Sequence, residues 1–193
     1  MATATTSELA ELEKQVEQAK KRLLEARRAQ PPQEVQDYLL KAPDGADVRL
    51  SELFGDKSDL IVIHNMGKSC PYCTLWADGF VGTERHFQSR AGFVLVSADP
   101  PEVMREFAAS RGWTFPTASN HGSEFAKDMG FWSSSGPHAG PLPGVSTFHR
   151  DSDGKIWRIA CAFFGPGDDF CPTWPIFDLL KDGPGGWQPK YTY

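Results

Sequence analysis

Nowhere does the sequence carry a run approaching the ~18 consecutive apolar residues that a membrane-crossing helix needs. Basic charge is not in excess either: 20 Lys and Arg stand against 25 Asp and Glu, mixed along the chain, for a net charge of -5. That leaves no basic field to attract nucleic acid or an anionic lipid surface. Residues 1–30, MATATTSELAELEKQVEQAKKRLLEARRAQ, are polar and charged where a secretory leader carries an apolar core, so the expected location is the cytoplasm. Cysteine is scarce, with four residues in 193. No disulfide framework is expected, because the cytoplasm keeps thiols reduced and a chain that is 40% hydrophobic builds a core without staples.

What is present reads as a helix followed by an α/β domain, with boundaries at 1–30 and 31–193. Leu9, Leu12, Val16, Ala19, Leu23 and Ala26 recur at spacings of 3 and 4 over residues 7–29, with Ser7 as N-cap and Pro31-Pro32 as terminator. Such a helix fits two arrangements equally: laid against its own domain, or extended as the arm of a homodimer. Residues 37–42 and 47–50 flank Pro43-Asp44-Gly45 and predict an edge hairpin. The runs 60–65 and 93–98 are apolar on both alternating faces, as strands of a covered parallel sheet are, and a helix is expected over 73–90 between them. Further helices are expected from Pro100 to Gly112, over 123–129 and over 173–181. A hairpin is expected from 145–149 and 155–163, and a long loop over 133–144, which contains His138. A βαβ unit followed by ββα gives a four-stranded mixed sheet flanked by helices, which is thioredoxin-like topology.

The stretch SCPYCTLW stands where the first of these strands hands over to its helix. A cysteine placed there meets free backbone N–H groups and the positive end of the helix dipole, both of which favour thiolate. Only the thiolate attacks a disulfide, so Cys70 reads as the attacking thiol and Cys73, one turn on, as the resolving one. Pro71 suits a helix start. Two other readings of the pair exist. A zinc site needs two more ligands, and Cys161 and Cys171, ten apart, do not match the usual spacing of a second half-site. Packed structural cysteines are the third reading. His64 ends the preceding strand, and a proton acceptor beneath Cys73 would serve the resolving step; a histidine merely hydrogen-bonded at a strand end is the alternative.

DGADVRLSELF, IVIHNM, CPYCTLWADGF, FVLVSAD, GWTFPTASNHGSEFAKDMGF and GVSTFHRDSDGK together resemble the thioredoxin-like proteins described as predicted dithiol-disulfide oxidoreductases, a domain family of unknown function. The likeness spans roughly residues 7–193. It implies a thioredoxin fold with an N-terminal helical extension, and a redox role for Cys70 and Cys73. LSELF and the hairpin before it also resemble the peroxiredoxin branch, in which a threonine precedes the peroxidatic cysteine by three residues. Gly67 stands at that position here. CPYC is the glutaredoxin tetrapeptide, without the threonine-valine-proline element of that family. By pattern Ser146 occupies the place of the thioredoxin cis-proline, and a trans peptide is expected before it.

These readings converge on a thiol-disulfide oxidoreductase without a bound cofactor or metal. Cys70, Cys73 and His64 are the expected catalytic residues, and Pro71, Tyr72, Trp76, Val145 and Ser146 the expected substrate contacts. Its partners would be a protein or small-molecule disulfide and an unidentified reductant. A thiol peroxidase using Cys70 alone and a non-catalytic binding module are the rival functions.

Overall fold

A computed structural model describes residues 5–135 and 139–193, so part of the 133–144 loop, His138 included, lies outside the described residues. Helix α1, Thr6–Arg28, is capped by Thr5, whose hydroxyl accepts the Glu8 N–H at 3.2 Å, slightly ahead of the expected Ser7 boundary. The domain that follows is a mixed α/β fold built on one eight-stranded sheet, ordered β1-β10-β9-β4-β5-β6-β2-β3. Its centre is β4 (Asp59–Asn65), β5 (Gly92–Ser97) and β6 (Thr117–Ser119), which run parallel. β9 (Gly144–Arg150) and β10 (Ile156–Phe163) extend it antiparallel on one side, and β1 (Gln33–Val35) closes that edge. β2 (Leu39–Lys41) and β3 (Asp47–Arg49), the expected edge hairpin, close the other.

The four core strands are where the hydrophobic pattern put them. Two others, β1 at one edge and β6 inside the sheet, are three residues each, too short to show a period. The helix expected over 73–90 is two: α2 (Pro71–Phe80) and α3 (Glu84–Arg90). Between them Gly82 sits at φ +87°, a left-handed conformation that breaks a helix and suits glycine. Helix α4 (Pro101–Arg111) ends where expected, at Gly112 with φ +68°. α5 (Phe125–Asp128) and α6 (Thr173–Phe177) are single short turns. Within the surface loop a two-residue ladder forms between β7 (Trp132–Ser133) and β8 (Gly140–Pro141).

The sheet separates two cores. Leu60, Val62, Val94 and Val96 face one, with Leu50, Phe54, Phe125, Phe131 and Phe148. Ile63, Phe93 and Leu95 face the other, with Trp76, Ala77 and Phe80 of α2 and Met104 and Ala108 of α4. Each strand's alternation therefore decides which side of the sheet a residue serves.

β9 enters the sheet through a glycine that has no room for a side chain. A Cβ on Gly144 would stand 2.3 Å from Phe131 Cε1 and 2.4 Å from the Ala162 carbonyl. Gly144→Ala is expected to lower stability by about 1–3 kcal/mol through overpacking, seen as a drop in the urea midpoint without a change in slope.

Candidate active site

The site grows out of the end of β4. Asn65, its last residue, is buried and accepts the Gly67 N–H through Oδ1 at 2.8 Å, turning the chain. Gly67 takes φ +110°, and a Cβ there would lie 2.8 Å from Asp99 Oδ1. That carboxylate accepts the Lys68 N–H at 2.6 Å, so the loop after β5 holds the loop after β4. From the other side Tyr191 donates its hydroxyl to the Lys68 carbonyl at 2.8 Å, and Arg111 Nη1 holds the Tyr191 carbonyl at 2.7 Å. The C-terminal tail is thus part of the loop that presents Cys70.

Cys70 is the N-cap of α2, extended at φ -101° and ψ 102°, with Pro71 in the first turn. Its sulfur fills the role an oxygen normally takes at a cap, accepting the Cys73 N–H at 3.1 Å. The Cys70 carbonyl accepts both the N–H and the hydroxyl of Thr74, which fixes the turn. Cys70 is half-buried and Cys73 buried. The Cys70 thiol is pulled from the ordinary 9.0 down to about 7, first by a hydrogen bond from the Cys73 side chain and then by the N–H groups of Cys73 and Tyr72, against the opposing effect of burial. The same hydrogen bond, burial and the Cys70 charge push the Cys73 thiol upward. One sulfur is poised as thiolate while its neighbour keeps its proton.

An aromatic wall stands beside the pair. Tyr72 stacks on Trp174 with centroids 5.9 Å apart, and Trp174 packs on Trp76 at 5.2 Å and on Trp187 at 5.9 Å. Asp168 fastens the wall, accepting the Trp76 indole N–H at 3.1 Å and the N–H groups of Gly165, Phe170 and Cys171. Pro71 and Tyr72, half-buried, remain available to a partner, whereas Trp76 is buried and supports the wall from beneath. Val145 pairs with Ile63 and packs on the α2 side of the sheet.

Two expected site residues are placed elsewhere. His64 shares a face with Leu60 and Val62, so its ring lies on the side of the sheet opposite α2. There it stacks on Phe131 at 3.8 Å and packs on Phe125 at 5.6 Å, and its Nε2 is 2.9 Å from Ser146 Oγ. Burial, with a contribution from the Arg158 charge, holds its pKa down to about 3. It is a neutral core residue and no proton acceptor for Cys73. Ser146 does not face the cysteines: it is wholly buried within β9, paired with Val62 and Cys161, and its hydroxyl belongs to His64. The strand alternation of LIVIHN carried the His64 answer, because residues 60, 62 and 64 must share a side.

Cys161 lies in β10 and Cys171 is buried beside Thr173, its sulfur 3.5 Å from Oγ1. Among the described residues no group of three or more His, Cys, Asp or Glu side chains is arranged to hold a metal ion. No helix among them is long and apolar enough to cross a membrane.

Residues 2–191 match the family described as bacterial protein of unknown function, DUF899. The chain belongs to that family. No curated protein matches this DUF899 sequence. Among solved structures it is similar to the peroxidoxin BcpB from Mycobacterium tuberculosis, at 26% identity over 68% of this chain and 84% of that one, with a TM-score of 0.55. A peroxiredoxin-like protein from Aquifex aeolicus aligns at 18% identity over 68% and 72%, with a TM-score of 0.52. Peroxiredoxin Q from Xanthomonas campestris aligns at 20% identity over 63% and 80%, with a TM-score of 0.51. The fold of this DUF899 protein is therefore that of the peroxiredoxin and thioredoxin superfamily.

Asp99, Asp168, Trp174 and Tyr191 have no motif to announce them, and only their positions in space connect them to the cysteines. Two titrations follow from the geometry. Alkylation of Cys70 is expected to show a midpoint near pH 7, and Cys73→Ala, which removes the principal hydrogen bond, to move it upward. His64 binds a proton readily only in the unfolded chain between about pH 6.5 and 3, so stability falls as pH drops through that window. His64→Gln is expected to remove about 3–5 kcal/mol of that fall, measured by urea denaturation at a series of pH values.

Proposed function

We propose that this protein is a thiol-disulfide oxidoreductase that acts through Cys70 and Cys73. The observation that carries the reading is the asymmetry of the two sulfurs: a half-buried Cys70 capping α2 with its pKa at about 7, and a buried Cys73 whose thiol is held protonated against it. In the first step the Cys70 thiolate attacks one sulfur of a substrate disulfide; the Cys70–substrate bond forms, the substrate S–S bond breaks, and the other substrate sulfur leaves as thiolate. Forming that mixed disulfide removes the Cys70 charge and its hydrogen-bond demand, two of the causes that keep Cys73 protonated. Cys73 then loses its proton to the departing thiolate or to water and attacks Cys70 Sγ. The second substrate thiolate leaves, and the Cys70–Cys73 disulfide holds the two electrons' worth of oxidation. An external dithiol or another reductant returns the pair to the reduced state. No bound cofactor takes part, and a reducing cytoplasm suits the cycle. The exposed portions of Pro71 and Tyr72 are the surface offered to a protein or small-molecule disulfide.

The names of the structural neighbours favour a second reading, a peroxiredoxin-like thiol peroxidase using Cys70. Against it stands Gly67: the position of the peroxiredoxin threonine has a left-handed backbone and no room beside Asp99 for a side chain.

Three proteins separate the readings: wild type, Cys70→Ser and Cys73→Ser, assayed for reduction of a disulfide substrate and for peroxide consumption. For the oxidoreductase, Cys70→Ser loses disulfide reduction entirely, while Cys73→Ser completes the first step and accumulates a one-to-one mixed disulfide visible by mass. Rapid sulfenic acid formation on Cys70, with peroxide turnover surviving in Cys73→Ser, would establish the peroxidase instead.

A further inference from the structure

Helix α1 is 23 residues long, about 35 Å at 1.5 Å per residue, and none of them is buried. Its touch on the body is confined to its second half: Lys20 reaches Asp169, and Arg27 lies against β10, bordering with Gln30 a crevice of about 340 Å³ there. Leu9, Leu12, Val16 and Leu23 are 53%, 50%, 54% and 48% exposed, in one stripe. A free helix of this length with an open apolar stripe is marginal in water unless something covers it.

The stripe itself says what covers it. Leu9, Val16 and Leu23 fall at position a of a heptad and Leu12, Ala19 and Ala26 at position d, without interruption. The flanking e and g positions are graded in charge: Glu8 and Glu13 near the start, Gln15 and Lys20 in the middle, Arg22 and Arg27 near the end. Two copies laid parallel would set Glu8 against Glu13 and Arg22 against Arg27 of the second copy, like charge on like at both ends. Laid antiparallel about the middle of the helix, Glu13 of each copy meets Lys20 of the other, Gln15 meets Arg22, and no like charges face each other. The same arrangement puts Leu12 opposite Leu23, Leu9 opposite Ala26 and Val16 opposite Ala19, a large residue against a small one in the last two pairings.

We infer that α1 docks on α1 of a second copy of this chain as an antiparallel two-helix coil. The pairing covers the stripe, sets Glu13 against Lys20 at two symmetric positions without opposing like charges, and leaves Cys70 free in each copy. It stands independently of the redox reading. Lys20 is shared between Asp169 of its own chain and Glu13 of the other copy, both exposed pairs that cost little to exchange. With a short interface the association is expected in the micromolar range.

Sedimentation equilibrium of the full chain tests it. The wild type should pass from monomer to dimer as concentration rises to about 100 μM. The double variant Leu12→Lys/Val16→Lys should remain monomeric with its near-ultraviolet dichroism and Cys70 alkylation unchanged. Glu13→Lys should raise the dissociation constant roughly tenfold by placing like charges at two symmetric positions. Direction is read by cross-linking: in a Cys70→Ser/Cys73→Ser background, a mixture of Leu12→Cys and Leu23→Cys chains should oxidise chiefly to the 12–23 heterodisulfide. A wild type monomeric throughout, a dimer indifferent to Leu12→Lys/Val16→Lys, or a preference for 12–12 and 23–23 disulfides overturns the antiparallel pairing.

Discussion

Burial of β4 on both of its faces is the constraint on which the site depends. A strand covered on both sides assigns each residue to one core or the other, and cannot slip by one position without turning its whole set over. That locks the height and direction at which the chain leaves the sheet. Asn65 then anchors the turn at Gly67, Asp99 from the loop after the next parallel strand holds Lys68, and Cys70 arrives at the head of α2 with its sulfur over the N–H of Cys73. Because β4 and β5 are parallel and adjacent, their C-terminal loops meet at one edge, the usual location of sites in sheets of this kind.

The electrostatics of the pair are local. Hydrogen-bond donors converge on Cys70, and the largest is its own partner thiol, so stabilising one thiolate and blocking the other are a single effect. No other side chain is required to hold the charge. The buried histidine six residues earlier serves packing instead. Its ring fills the aromatic core between Phe125 and Phe131 while Ser146 satisfies one of its nitrogens. A polar ring without that hydroxyl would cost free energy in such a place, which explains why two polar side chains are buried together there.

The approach to the cysteine is shaped by segments far along the chain. Gly67, without a side chain, lets the Asp99 carboxylate come against the backbone, and the tail brings Tyr191 to the same loop. Burial, followed by the charges of Cys70, Cys73 and Asp99, raises the Tyr191 hydroxyl above its ordinary range, which marks how near the tail lies to the sulfurs. The wall of Tyr72, Trp174, Trp76 and Trp187 closes the other flank.

How much of this was legible depended on the range of the interactions. Local chemistry was enough for the CPYC turn, for Pro71 at a helix start, for Gly112 as a helix end and for the both-faces-apolar pattern of β4 and β5. Those features arise from a residue and its near neighbours. The split at Gly82 was within reach of the same reasoning, since a left-handed glycine ends a helix wherever it stands. Short strands such as β1 and β6 were not, because three residues carry no period and their pairing partners lie far along the chain. The side of the sheet taken by His64, the burial of Ser146, and the convergence of Asp99, Asp168 and Tyr191 on the cysteine loop were decided by tertiary structure alone. Each is a contact between segments tens of residues apart, and sequence separation carries no distance until the sheet order has been set.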